Sequence, residues 1–122
     1  MANTQDTTEL LDLCGTAMTL AEQLLESARH AVARLVTKNG KPDATLIDKN
    51  QLAAHGFAWQ ATYIEALRQT LRWAHALHAA GNLTEVEAAI LRLGFAEYLS
   101  QLAGGIPISQ TEMIRPTDIT HR

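Results

Sequence analysis

His75 and His78 stand three residues apart in a run that reads as helix, a spacing that sets two imidazoles on one face as a pair of metal ligands. His55 lies twenty residues upstream, about 30 Å away at ~1.5 Å of helix rise per residue, and cannot join them within one chain. Glu26 and His30 are four apart, so the Glu-x-x-His pairing of di-iron bundles is missing. These histidines read more simply as surface or helix-end residues, and no metal is assigned. A second cluster is His55-Gly56-Phe57-Ala58-Trp59. A histidine among uncharged apolar neighbours must find a hydrogen-bond partner or stay neutral. Beside a glycine and an indole it can line a small pocket, although a satisfied structural histidine is the plainer reading. The candidate pocket or interface residues are His55, Gly56, Trp59, Tyr63, Trp73 and Gly94.

A third feature is Gly104-Gly105-Ile106-Pro107-Ile108-Ser109-Gln110, a glycine-rich turn feeding a capped helix start that could hold an anion on backbone N–H groups. Arg115 is the nearby cation and no lysine is close. A helix stop followed by a new helix start accounts for every residue of that stretch. Cys14, the single cysteine, sits on an apolar stripe with no local cation, which makes it a small buried hydrophobe and fits a reducing compartment. Nucleophile-elbow, dinucleotide-binding and Walker-type runs are missing. No catalytic residue and no cofactor is assigned, and nothing argues for an independent enzyme.

The elements that must position these residues are punctuated by four capping-box patterns, in which a Ser, Thr or Asp precedes a Glu or Gln by three. They are Asp6-Thr7-Thr8-Glu9, Asp48-Lys49-Asn50-Gln51, Thr84-Glu85-Val86-Glu87 and Ser109-Gln110-Thr111-Glu112. Stops follow at Asn39-Gly40-Lys41-Pro42, at Gly81-Asn82 and at Gly104-Gly105. The pattern predicts long helices over 7–37, 49–80 and 85–103 and a short one over 110–115, with a frayed tail at 116–122. The fold expected is a single all-α domain over 1–122: an antiparallel bundle of three long helices plus a short C-terminal helix.

The first helix shows three-to-four spacing at Leu10, Cys14, Ala17, Ala21, Leu24, Ala28, Ala31 and Leu35, widened by Leu11, Met18, Leu25 and Val32. The second carries no charge from Leu52 to Trp59, so that half is expected to meet a partner surface, with Trp59 and Trp73 as anchors. Apolar area that three helices cannot cover predicts a homodimer. The third helix is expected to bury Ile90, Leu91, Phe95, Tyr98 and Leu102. Gly94 costs about 1 kcal/mol relative to Ala in a helix interior, which points to a tight crossing or a ligand beside it. Ten Lys and Arg against thirteen Asp and Glu leave a net charge of −3, no basis for nucleic-acid binding. No apolar run reaches the ~20 residues that span a bilayer, so no membrane partner is expected and the location read is cytoplasmic.

Two stretches carry a resemblance: QLAAHGFAWQATYIEALR at 51–68 and GFAEYLSQLAGGIPISQ at 94–110, running on to Glu112 and Arg115. Both resemble the N-terminal helical extension of acyl-CoA dehydrogenases of the (2S)-methylsuccinyl-CoA dehydrogenase type, over about 46–116. In that family FAD and the proton-abstracting carboxylate belong to the catalytic part, which would follow the extension. The resemblance therefore implies a non-catalytic accessory or assembly domain, docked on itself or on an acyl-CoA dehydrogenase, and transfers no catalytic residue. The alternative is a bundle that binds a small acyl or CoA-thioester molecule, supported by His55, Gly94 and the low charge at the bundle centre.

Overall fold

The computed structural model describes residues 3–120. Three long helices dominate: α1 (Thr4–Val36), α3 (Gln51–Ala79) and α4 (Glu85–Gly104). The short helices α2 (Ala44–Lys49) and α5 (Pro116–Thr120) and two small hairpins, β1–β2 (Thr37–Lys38, Lys41–Pro42) and β3–β4 (Ile106–Pro107, Met113–Ile114), complete the described chain. The protein is mainly helical, as expected, with two small hairpins that the pattern did not foresee.

One capping box forms as read. The Thr84 hydroxyl and the Glu87 carboxylate bond each other, and the Thr84 backbone N–H donates to Glu87 Oε2 at 3.1 Å, fixing the start of α4. The other three sites resolve differently. Asn3, not Asp6, caps α1 by accepting from the Gln5 N–H; Asp48, read as the cap of the second long helix, lies inside the short α2, which Asp43 caps by accepting from the Leu46 N–H at 2.9 Å, and α3 starts after Asn50 without a side-chain cap bond. Asn50 then breaks α2 from α3, its side-chain amide donating to the Leu46 carbonyl at 2.8 Å. Ser109 does accept from the Glu112 N–H at 3.0 Å, but the bond closes the β3–β4 turn and starts no helix.

The helix expected over 110–115 is thus a hairpin. Its pairing directs Ile106 and Ile114 into the core, where both are essentially unexposed, and burying two β-branched residues outweighs one helical turn. The tail expected to fray from Pro116 is α5 as far as Thr120, held by buried Ile119; residues 121 and 122 lie outside the described residues.

Helix ends follow the expected stops. At the end of α3, Gly81 takes φ 73°, the Asn82 N–H reaches back to the Leu77 carbonyl and the Gly81 N–H to that of His78, a complete Schellman arrangement. Between β1 and β2, Asn39 and Gly40 both have positive φ, as a two-residue hairpin turn of the primed kind requires.

The core lies where the stripes meet. α1 contributes Leu10, Leu11, Cys14, Met18, Ala21, Ala28 and Val32, as its spacing predicts. α3 contributes Ala53, Ile64, Leu67, Leu71 and Ala74 while packing on both α1 and α4. From α4 come Ala88, Leu91, Phe95 and Leu102; Tyr98 is partly buried, and Ile90, expected inside, is half exposed. Glu65, Gln69 and Arg72 of α3 are exposed, and Arg68 on the same helix reaches Glu22 of α1 at 3.2 Å.

Candidate functional site

Three of the six candidate residues form one ladder. His55, Trp59 and Tyr63 repeat at four-residue spacing along α3, so their rings stand one above another on a single face. His55 meets Trp59 edge to face at 6.2 Å, and Trp59 meets Tyr63 in the same way at 6.2 Å. Tyr98 of α4 then stacks on Tyr63 at 4.3 Å, carrying the ladder across the helix interface.

The Trp59 and Tyr63 donors of the ladder each have a partner. The Trp59 indole N–H donates to His55 Nε2 at 3.0 Å, so this geometry assigns the imidazole proton to Nδ1. The Tyr63 hydroxyl donates to Gln101 Oε1 at 2.6 Å, and the Gln101 amide donates onward to Glu97 Oε1 at 2.6 Å. Burial, with the neighbouring Tyr98 and Glu97, pushes the Tyr63 phenol above its ordinary value, which keeps it a neutral donor.

His55 also borders open space. A groove of about 640 Å³ is lined by Ile47, Gln51, Leu52, Ala54, His55, Ile108 and Glu112, between the N-terminal end of α3 and the C-terminal hairpin. Its floor is aliphatic and its polar groups are an amide, an imidazole and a carboxylate; no lysine or arginine lines it. Such a groove can hold an apolar moiety and accept or donate a hydrogen bond at His55, but offers an anion no counter-charge.

The remaining candidates stand apart. Gly56 is buried beneath the C-terminal segment: a Cβ there would lie 2.7 Å from Ile114 Cγ2 and 3.4 Å from Ile119 Cδ1. The uncharged half of α3 is therefore covered in part by its own chain, leaving His55, Ala58 and Thr62 exposed. Gly94 marks no tight crossing, since an added Cβ would meet no heavy atom within 4 Å. Trp73 lies fourteen residues beyond Trp59, about 21 Å along α3 at ~1.5 Å per residue, and is 38% exposed.

Sequence reading missed two glutamines. Gln101 anchors the Tyr63 hydroxyl, a contact that no local pattern reveals. Gln60 is buried on the Ala53, Gly56, Gln60, Ile64 stripe, and its Oε1 has no hydrogen-bond partner among the described residues. The stripe's spacing was the available signal. Cys14 is buried as expected; burial raises its thiol pKa, and the charge of Arg92, brought from α4, opposes that rise. Among the described residues no three His, Cys, Asp or Glu side chains gather to hold a metal ion, and no helix is long and apolar enough to cross a membrane.

No family model matches the chain. The (2S)-methylsuccinyl-CoA dehydrogenase of Cereibacter sphaeroides is 46% identical over 111 residues, 91% of this chain. This chain is similar to one region of that dehydrogenase. The aligned length exceeds the 46–116 stretch that carried the resemblance, so likeness extends beyond it into the flanking sequence. The chain spans only 20% of the enzyme's length, as an N-terminal piece of it would.

Proposed function

We propose that the chain is a non-catalytic accessory domain, an antiparallel bundle of three long helices that assembles with an acyl-CoA dehydrogenase in the cytoplasm. The carrying observation is identity over 91% of this chain that occupies one fifth of a dehydrogenase. The ladder from His55 to Tyr98 supports the same reading: the Trp59 indole is spent on His55 within α3, and the Tyr63 hydroxyl bond to Gln101 with the Tyr63–Tyr98 stack ties α3 to α4. Affinity capture of the tagged chain from its own cell extract tests it. An acyl-CoA dehydrogenase recovered in matching amount sustains the proposal; recovery of this chain alone overturns it. Self-association, expected from the uncharged half of α3, is read by sedimentation, and a monomer at all concentrations retires it.

The groove at His55 favours a second reading, a bundle that binds an acyl group. With Glu112 at its edge and no lining cation, it suits the aliphatic part of an acyl thioester rather than the phosphates of CoA. CoA thioesters and FAD are offered in a thermal-shift assay. This reading expects a thioester shift that His55→Ala diminishes while helicity is unchanged. No shift at saturating ligand removes it.

A further inference from the structure

The bond at the top of the ring ladder depends on one proton. The Trp59 indole N–H donates to His55 Nε2 at 3.0 Å, and a ring nitrogen can accept that bond only while it carries no hydrogen. Protonation would set two N–H groups against each other, so the bond and the imidazolium exclude one another. His55 is exposed, and a proton reaches it from solvent with no opening of the fold. Trp59 is partly buried against the core and touches Tyr63, whose ring stacks on Tyr98 of α4. The charge state of one surface imidazole is thereby coupled to a side chain that packs on the bundle.

The charged groups around the pair decide where an imidazolium turns. From Leu52 to Thr62, α3 holds no acidic or basic residue besides His55, and Tyr63 is a neutral donor to Gln101. The C-terminal hairpin brings Glu112 into the groove that His55 lines. α2 contributes Ile47 to that groove, while its charged neighbours Asp48 and Lys49 do not line it. On the remaining elements, Asp118 accepts from the Arg115 N–H at 2.8 Å, the Arg115 side chain lies by Gly105, and Glu97 accepts from the Gln101 amide. Glu112 is thus the charged side chain that shares the groove with His55. As a class, imidazoles change charge between about pH 5 and 8.

We propose that His55 and Trp59 form a pH-sensitive latch at the groove. Neutral His55 holds the indole; protonated His55 releases it and turns to the Glu112 carboxylate, narrowing the groove. The latch goes beyond both functional readings and stands whether or not the groove takes an acyl group.

The full chain carrying Trp73→Phe, in which Trp59 is the single indole, is followed by NMR from about pH 8 to about pH 5. The Trp59 Nε1–H resonance is expected to move upfield in step with the His55 ring, as it loses its acceptor. Proton contacts between the two rings should be lost and contacts between His55 and the Glu112 side chain gained. His55→Gln, which takes up no proton, should abolish the shift. Glu112→Gln should keep the release of the indole and lose the new contacts. An indole resonance that stays put while His55 titrates, a shift that persists in His55→Gln, or ring contacts that survive at the acid end overturn the latch. Release of the indole with no approach of His55 to Glu112 overturns its action on the groove. Circular dichroism follows helicity in parallel, and a fall over the same range overturns the proposal as well, because unfolding would then be what frees Trp59.

Discussion

Two apolar helical stretches meet different fates in this molecule. The first half of α3 and the outward side of α4 are both apolar where a surface helix would be polar. α3 receives cover from its own chain: Ile114 and Ile119 seat over Gly56, both essentially unexposed. α4 receives none on its outer side, where Val86 and Leu93 are about two-thirds exposed. The difference lies in the path of the chain downstream of each helix. It returns past α3 through a hairpin whose alternation turns Ile106 and Ile114 inward, whereas no later described element crosses Val86 or Leu93. An apolar helix is thus a demand for cover, and only tertiary topology decides whether the same chain supplies it.

The cover over α3 is the place to break that contrast. Ile119→Ala removes a fully buried side chain and should lower stability by about 2–4 kcal/mol, read by denaturant unfolding. A loss below about 1 kcal/mol would mean that α5 is loosely held and that the two regions are alike. Gly56→Val should follow at roughly 2 kcal/mol, since its Cβ would stand 2.7 Å from a branch methyl of Ile114 that has little room to yield. Wild-type stability in that variant would show the C-terminal segment lifting away without penalty.

The same substitution logic has the opposite sign on α4. At Gly94 the space for a Cβ is open, so Gly94→Ala should gain about 0.5–1 kcal/mol from helix propensity alone. A loss there instead would reveal that something seats against the uncovered helix in solution. Two glycines on two helices, of one residue type and similar apolar context, are therefore expected to respond in opposite directions.

Much of this was legible in the sequence and some was not, for identifiable reasons. The α1 stripe, the Schellman stop at Gly81 and the Thr84–Glu87 box depend on contacts within one or two turns, so spacing finds them. Ser109 and Glu112 also bond as their spacing predicts, yet the bond closes a hairpin, because pairing Ile106 with Ile114 wins over a local helix start. Gly56 and Gly94 look alike in sequence; the distant Ile114 separates them. Of the candidate site, the ladder from His55 to Tyr63 follows from i, i+4 spacing, while Tyr98 and Gln101 enter from another helix and leave no mark near residue 63.

The smallest expected effect concerns how an uncovered helix is held at its start. The Thr84 hydroxyl, then the backbone N–H groups of Glu87 and Thr84, bond the Glu87 carboxylate and hold its pKa below the ordinary carboxylate range. A carboxyl depressed in the folded state contributes stability that is present above its unfolded value and is lost as pH falls through the folded one. Acidification across the carboxylate range should therefore fray the first turn of α4 before the core responds, seen as faster amide exchange at Ala88 and Ala89. Glu87→Gln, which keeps the reach of the box but not its charge, should flatten that pH dependence while retaining part of the protection. If the first turn of α4 exchanged with the same pH profile in both proteins, the cap would not be what steadies it.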